Sequence, residues 1–313
     1  MTGHLNLPPD VIDDLHTLLD FVRWGASRFN EAGLYFGHGT DNATDDALAL
    51  VLHALYMEHG FPEEMMQARL SKTEKQCIID LFRQRIEQRL PVPYITHKAW
   101  FAGLPFYVNE HVLIPRSPLA ELIEQGFAPW CDPDALNHVL DLCTGSGCIG
   151  IAAAISLPHA EVDLSDISYE ALNVAQQNVE QYELEDSVRC IRSDVYDSLQ
   201  GKQYDLIVSN PPYVSHEEMG ILPEEFLTEP TLALEAGDDG LSIVRRILAG
   251  AADHLTEKGV LIVEVGNSEV SLQHAFPDVP FVWLEFERGG DGVFLLTRDQ
   301  LVEHQGSFSQ AAA

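Results

Sequence analysis

The chain has 313 residues, 46% of them hydrophobic, which is enough for one large or two smaller domains that each bury a core. Lysine and arginine number 18 and aspartate and glutamate 49, so the formal net charge is −31. Such a surface repels phosphate backbones and attracts basic partners, so no direct DNA binding is expected. A salt-adapted or simply soluble protein would carry the same acidic surface, so the charge alone identifies no partner. The sequence lacks a run of about 18 apolar residues, and no membrane span is predicted.

The beginning of the chain does not look like a targeting segment. Residues 1–10 lack a basic region followed by an apolar one, so a secretory signal is not expected. The five cysteines form no C-x-x-C pair and the 13 histidines no H-E-x-x-H motif. Neither a disulfide framework nor a metal site is therefore predicted, and a cytoplasmic location is expected.

Residues 1–93 are predicted to form a helical domain. Apolar residues recur there at helical spacing, and the capping box Ser71-Lys72-Thr73-Glu74 precedes an apolar helix. Prolines end this region. Residues 94–118 are expected to form a short β connection, because strand-like residues flank a turn at Gly103.

Residues 119–305 are predicted to form a Rossmann-like α/β domain. Strand and helix patterns alternate from residue 138 onward, which indicates a parallel sheet with helices on both faces. The pattern then changes to strand-like Phe281–Phe286, a glycine-rich turn and strand-like Val293–Thr297. This hairpin predicts that the last strand is antiparallel. Residues 306–313 are expected to be a polar tail.

A glycine turn follows the first strand of this domain. Gly145, Gly147 and Gly150 satisfy G-x-G-x-x-G, and Asp166 ends the next strand. Glycines let the backbone approach a ligand closely, and a carboxylate at a strand end can accept hydrogen bonds from ribose hydroxyls. The pattern therefore predicts a nucleoside ligand at the carboxyl ends of the strands, without specifying which one.

One residue distinguishes between nucleosides. Asp141 precedes the glycines and would place a carboxylate near the start of the helix, where a dinucleotide site holds pyrophosphate. Negative charge there favours a cationic ligand such as S-adenosylmethionine. Asp194 follows the third strand and could accept a hydrogen bond from the adenine amino group. A nicotinamide-dependent oxidoreductase remains an alternative on the glycine spacing alone.

The fourth strand ends in Asn210-Pro211-Pro212-Tyr213. The side-chain amide of Asn210 offers an acceptor and a donor, whereas the two prolines lack N–H groups and stiffen the turn. Such a turn presents carbonyl oxygens to a substrate that carries an –NH₂ group, and the tyrosine offers a flat surface. Asn-Pro can also be an ordinary turn.

Together these motifs resemble the class I S-adenosylmethionine-dependent methyltransferases that modify planar NH₂ nitrogens. More narrowly, the chain resembles the bacterial protein-glutamine N5-methyltransferases over nearly its whole length. Three segments are similar to the branch that modifies ribosomal protein L3: Ile114–Ile123, Asp141–Ile149 and Trp283–Thr297. Two departures are Cys143, where the family commonly has glycine, and Thr228, where the branch often has histidine.

The resemblance implies a role for each motif residue. S-adenosyl-L-methionine would be the methyl donor, and ribosomal protein L3, free or in an assembling large subunit, the basic substrate recognised by the helical domain. Catalysis would involve Asn210, Pro211 and Tyr213, and Pro212 would join them in binding the substrate. The residues implied in cofactor binding are Asp141, Cys143, Thr144, Gly145, Ser146, Gly147, Asp166, Asp194 and Asn210.

Three alternatives remain at this point. A release-factor glutamine methyltransferase would use the same chemistry on another protein. A nucleic-acid adenine N6-methyltransferase could use the same Asn-Pro-Pro-Tyr turn, although the net charge of −31 argues against it. A non-catalytic binding protein for basic ribosomal proteins would explain the net charge of −31 but not the glycine turn or the Asn-Pro-Pro-Tyr turn.

Overall fold

The computed structural model describes residues 11–58 and 60–312. Residues 1–10, on which the absence of a secretory signal was predicted, lie outside the described residues, as does residue 313 of the predicted tail. The chain divides into two compact units: the first runs to Lys98 and includes Pro223–Thr228, and the second comprises Ala99–Leu222 and the chain from Glu229 onward. Among the described residues, no helix is long and apolar enough to cross a membrane.

The described residues of the first unit are mainly helical. Ser71 caps the fourth helix: its hydroxyl accepts from the Glu74 N–H at 3.3 Å, and the Glu74 carboxylate accepts from the Ser71 N–H at 2.7 Å, which confirms the capping box. The core includes the fully buried rings of Phe21, Phe29 and Phe82. Its helices are α1 (Val11–Asp14), α2 (Leu18–Glu31), α3 (Ala43–Ala54), α4 (Lys72–Glu87) and α5 (Val92–Thr96).

The segment Pro223–Thr228 belongs to this helical unit through a buried charge network. Arg85 on α4 is 2% exposed, and its Nε donates to Asp46 at 2.8 Å. Glu225 is equally buried and lies 3.5 Å from Arg85 Nη1 and 3.2 Å from Arg89 Nη1. Because buried charges require partners, Glu225 is part of the interior of the unit although it follows the Asn-Pro-Pro-Tyr turn in sequence.

The second unit is built on a seven-stranded sheet in the order β5-β4-β3-β6-β7-β9-β8. Strands β3 to β7 run parallel to one another, whereas β9 is antiparallel to β7 and to β8. This topology confirms the predicted Rossmann-like sheet with a reversed last strand. The strands are β1 (Lys98–Phe101) and β2 (Leu104–Tyr107), which form a separate hairpin, then β3 (His138–Leu142), β4 (Glu161–Asp166), β5 (Val188–Arg192), β6 (Tyr204–Ser209), β7 (Leu255–Glu264), β8 (Val282–Trp283) and β9 (Val293–Thr297).

Helices cover both faces of the sheet. Alternate residues of each central strand enter different cores: Val139 packs in one cluster and Leu140 in the other, and Ile262 and Leu261 divide in the same way. Both faces are therefore buried, as in doubly wound folds. The helices are α6 (Leu119–Glu124), α7 (Cys148–Ser156), α8 (Tyr169–Gln181), α9 (His216–Met219), α10 (Ser242–His254), α11 (Glu269–Ala275), α12 (Arg298–Glu303) and α13 (Gln305–Ala312).

The prediction of a polar tail over residues 306–313 was wrong for the described part. Gln305–Ala312 form helix α13, and Phe308 is fully buried with its ring centroid 5.2 Å from that of Phe276. One aromatic residue provides the anchor, and a single apolar residue gives no helical periodicity to detect. The domain bounds also differ, since the helical unit extends beyond residue 93 to Lys98.

Candidate active site

A pocket lies within the second unit, at the carboxyl ends of strands β3, β4 and β6, where doubly wound sheets bind ligands. Two predicted cofactor residues, Asp141 and Gly147, do not line it, and neither do Pro211 and Tyr213. The predicted site residues that do line it are Cys143, Thr144, Gly145, Ser146, Asp166, Asp194, Asn210 and Pro212.

Asp141 stabilises the glycine turn from within. It is fully buried, and its Oδ2 accepts from the Thr144 hydroxyl at 2.5 Å and from the Gly150 N–H at 2.9 Å. Burial raises the pKa of Asp141 to about 7. Its Oδ1 is also buried and has no hydrogen-bond partner among the described residues. The predicted contact of Asp141 with the cofactor amino group would have to use that oxygen, and it stays a prediction.

Cys143 occupies a backbone conformation that favours glycine. Its φ is +61°, close to the +55° of Gly145. A side chain in the left-handed region costs about 1–2 kcal/mol. The departure from the family's usual glycine is therefore accommodated at an energetic cost, and the Cys143 side chain lines the pocket. Burial raises the pKa of the Cys143 thiol, so the thiol stays protonated.

Asp166 links the glycine turn to the end of strand β4. Its Oδ2 accepts from the Gly145 N–H and its Oδ1 from the Ser168 N–H, both at 2.9 Å. Burial raises the pKa of Asp166. Because each carboxylate oxygen has a second lone pair, both oxygens can also accept from ligand hydroxyls. This geometry is compatible with the predicted ribose contact.

Asp194 is paired with a residue that the sequence analysis missed. Arg246 on α10 donates from Nη1 to Asp194 Oδ1 at 2.8 Å, and both side chains line the pocket. Ile167, which is 43% exposed, also lines it beside Asp166. Arg246 lies in an amphipathic helix without a motif, so no sequence signal distinguishes it. Ile167 had one signal, its position directly after a strand-end aspartate.

Asn210 follows strand β6 and enters the pocket. Its Oδ1 is buried and makes no hydrogen bond to any described residue. A buried amide oxygen without a partner carries a desolvation penalty of about 1–3 kcal/mol. The atom is therefore available to accept a hydrogen bond from a ligand. Pro212 lines the same pocket, whereas Pro211 is buried and does not line it.

Tyr213 is held from several sides. Its hydroxyl donates to Glu264 Oε1 at 3.2 Å, and its carbonyl accepts from the Ser268 hydroxyl at 2.8 Å. A Cβ at Gly266 would lie 2.7 Å from the tyrosine ring, so only glycine permits this close approach. Burial raises the pKa of Tyr213, which keeps its hydroxyl protonated.

Arg116 and Glu229 join two motifs that are distant in sequence. Arg116 Nη1 and Nη2 donate to Glu229 Oε1 and Oε2 at 2.7 and 2.6 Å, and the Ile114 N–H donates to Oε1 at 3.0 Å. Glu229 is buried, and Arg116 lines the pocket. Arg116 lies in the segment Ile114–Ile123 and Glu229 follows Thr228, both of which stood out in the sequence, but no sequence signal pairs the two residues.

Comparisons with known proteins identify the family. The family model of the methyltransferase small domain matches residues 128–239. A protein of Francisella tularensis named ribosomal protein uL3 glutamine methyltransferase is 50% identical over 302 residues, which is 96% of each chain. The chain belongs to this family. A Xanthomonas campestris member is 48% identical over 301 residues, 96% of this chain and 97% of that protein.

Family membership confirms the resemblance drawn from the three sequence segments and the methyltransferase class. Among solved structures, a methyltransferase from Pyrococcus furiosus matches with a TM-score of 0.44 at 17% identity, over 63% of this chain and 89% of that one. A likeness at that level is too weak to bear on substrate or mechanism.

Proposed function

We propose that the protein transfers a methyl group from S-adenosyl-L-methionine to the side-chain amide nitrogen of a glutamine in ribosomal protein uL3. The observation that carries this proposal is the buried, unpartnered Oδ1 of Asn210 in the pocket. A planar –NH₂ group brings the donor that this oxygen lacks. The names of the two relatives support glutamine and uL3 as the residue and the protein.

The chemistry requires positioning more than it requires a strong base. An amide nitrogen is a poor nucleophile because its lone pair is delocalised into the carbonyl group. Asn210 Oδ1 and the Pro211 carbonyl would accept the two amide hydrogens, hold the nitrogen and raise its electron density. Formation of the N–CH₃ bond would break the S–CH₃ bond of the sulfonium, S-adenosylhomocysteine would leave, and the nitrogen would give up one of its two protons to solvent. Tyr213 would pack against the amide plane. Orientation of this kind can contribute up to about 7–11 kcal/mol in favourable cases.

The pocket suits a cationic nucleoside better than a dinucleotide. When bound, S-adenosyl-L-methionine supplies the electrophilic methyl group. The Gly150 N–H at the start of α7 is already bonded to the Asp141 carboxylate, whereas pyrophosphate would need such N–H groups free of a negative partner. Asp166 would hold the ribose, and Asp194, already paired with Arg246, would accept from adenine through its other oxygen. The Thr144–Gly147 turn would lie against the methionine part.

The acidic surface supports a basic protein substrate. Ribosomal proteins that bind RNA are basic, and a chain with a net charge of −31 attracts them at long range. We assign recognition of the protein substrate to the helical unit. Steering by charge weakens as salt shortens the Debye length from about 10 Å at 0.1 M to about 3 Å at 1 M.

A competition experiment tests this proposal. Equal amounts of uL3, a peptide release factor and duplex DNA are incubated with the enzyme and one labelled cofactor over a salt series, and mass spectrometry locates the label. We expect label on one glutamine of uL3, with an association rate that falls as salt rises.

Each other outcome has a defined meaning. Label chiefly on the release factor would overturn the substrate and leave the glutamine chemistry in place. Label on adenine in DNA would overturn both. Label on uL3 at a rate independent of salt would keep the substrate and refute the argument from charge.

A further inference from the structure

Glu264, at the end of strand β7, lies behind the Asn-Pro-Pro-Tyr turn. It is 4% exposed, and two hydroxyl groups converge on its carboxylate. Ser117 donates to Oε2 at 2.5 Å, and Tyr213 donates to Oε1 at 3.2 Å. Neither Glu264 nor Tyr213 lines the pocket, whereas Ser117 does. Glu264 could therefore act on the chemistry through Ser117 or by orienting Tyr213 in the Asn-Pro-Pro-Tyr turn.

The backbone around Glu264 is tightly packed. A Cβ at Gly292 would lie 2.2 Å from the Gly266 carbonyl oxygen, and the Val265 N–H donates to the Gly292 carbonyl at 2.7 Å. Gly266 in turn contacts the Tyr213 ring. The glycine turn of the terminal hairpin therefore packs against the backbone that follows Glu264 and supports this strand end.

We propose that Glu264 is a positioning residue whose ionised carboxylate holds the Tyr213 ring in the orientation that methyl transfer requires. The inference rests on the proposed function, because it assigns a partner to the tyrosine that would pack against the substrate amide. An ionised carboxylate accepts from both hydroxyls at once. A protonated one carries its own O–H donor and competes with them for acceptors.

The surroundings of Glu264 place the ionisation of its carboxyl group within an accessible pH range. Burial raises the pKa of Glu264 to about 7, although the Ser117 and Tyr213 hydroxyls and the charge of Arg116 each lower it. Arg116 is itself paired with Glu229, which moderates its effect. Turnover should therefore increase as the pH rises through about 7, when the carboxylate loses its proton.

The same shift predicts the effect of Glu264 on stability. A carboxyl whose pKa is raised in the folded state stabilises the fold fully below its unfolded value of about 4.5, and this contribution is lost as pH rises through about 7. The variant Glu264→Gln, which cannot ionise, should therefore be at least as stable as the wild type at pH 8. A loss of turnover in that variant would not come from unfolding.

The test is a pH profile of uL3 methylation at saturating cofactor for the wild type and Glu264→Gln. We expect wild-type kcat to rise through about pH 7. The variant should stay at the low-pH level of the wild type throughout, roughly 10- to 100-fold below the wild-type maximum. Its KM for the cofactor should match that of the wild type. The melting temperature at pH 8 serves as the control for folding.

A second variant tests whether the rise in kcat follows the pKa of Glu264, and the KM for the cofactor distinguishes this rise from the titration of Asp141. Ser117→Ala removes a donor that lowers the pKa of Glu264, so it should move the rise in kcat to higher pH. Asp141 also has a pKa of about 7, but it supports the glycine turn, so its protonation should alter the KM for the cofactor instead.

An unchanged rise through about pH 7 in Glu264→Gln would overturn this inference and leave the proposed function in place. A Glu264→Gln variant whose melting temperature at pH 8 falls together with its kcat would also overturn the inference, because Glu264 would then have a purely structural role. A wild-type protein that does not methylate uL3 at any pH would overturn the proposed function and this inference together.

Discussion

The variant Asp166→Asn should weaken cofactor binding by an amount that follows from the site. In the wild type, each of the two carboxylate oxygens accepts from a backbone N–H at 2.9 Å. The asparagine amide keeps one acceptor oxygen and replaces the other with an NH₂ donor. One charge-assisted hydrogen bond to a ribose hydroxyl is then lost, worth about 1.5–3 kcal/mol. The dissociation constant should rise roughly 10- to 150-fold.

The same strand provides a matched control. Asp163 also lies on β4, but its carboxylate accepts from Lys202 at 2.6 Å and from the Tyr204 hydroxyl at 2.8 Å, and it does not line the pocket. Asp163→Asn should lower stability and leave cofactor affinity unchanged. Isothermal titration calorimetry with S-adenosyl-L-methionine measures both variants. Wild-type affinity in Asp166→Asn, or an equal loss in Asp163→Asn, would refute the assignment of Asp166 to the ribose.

Three further variants, two of them paired with a control variant, probe other parts of the chain. Asn210→Ala should reduce kcat by roughly 10²–10³, the usual cost of losing one group that positions a reacting centre, and should leave cofactor affinity by calorimetry nearly intact; wild-type turnover would remove Asn210 from the mechanism. Cys143→Gly should change the free energy of unfolding by less than about 1 kcal/mol, because relief at φ +61° offsets the lost side chain, whereas Cys148→Gly, at the start of helix α7, should cost more. Phe308→Ala should cost about 3–5 kcal/mol in urea denaturation, and the half-exposed Val302→Ala less than about 0.5 kcal/mol; equal costs would contradict the buried role of α13.

Local motifs were predictable from the sequence, and long-range pairings were not. The glycine turn and the Asn-Pro-Pro-Tyr turn each depend on adjacent residues, and strand–helix alternation brings their ends to one edge of the sheet. Arg116 and Glu229 are 113 residues apart, and Asp194 and Arg246 are 52 apart. Many acidic and basic residues could have formed such pairs, so only the folded chain selects the partners.

The burial of Glu225 in the helical unit has a consequence for synthesis of the protein. Glu225 is translated 136 residues after Arg89, one of the two arginines that it contacts. While the nascent chain is shorter, Arg85 has Asp46 as its carboxylate partner and lacks the second one. The amino-terminal helices therefore complete their interior only after the Asn-Pro-Pro-Tyr turn has left the ribosome. A fragment that stops at Lys98 would remain in that unfinished state, and adding residues 223–228 as a separate peptide should stabilise it.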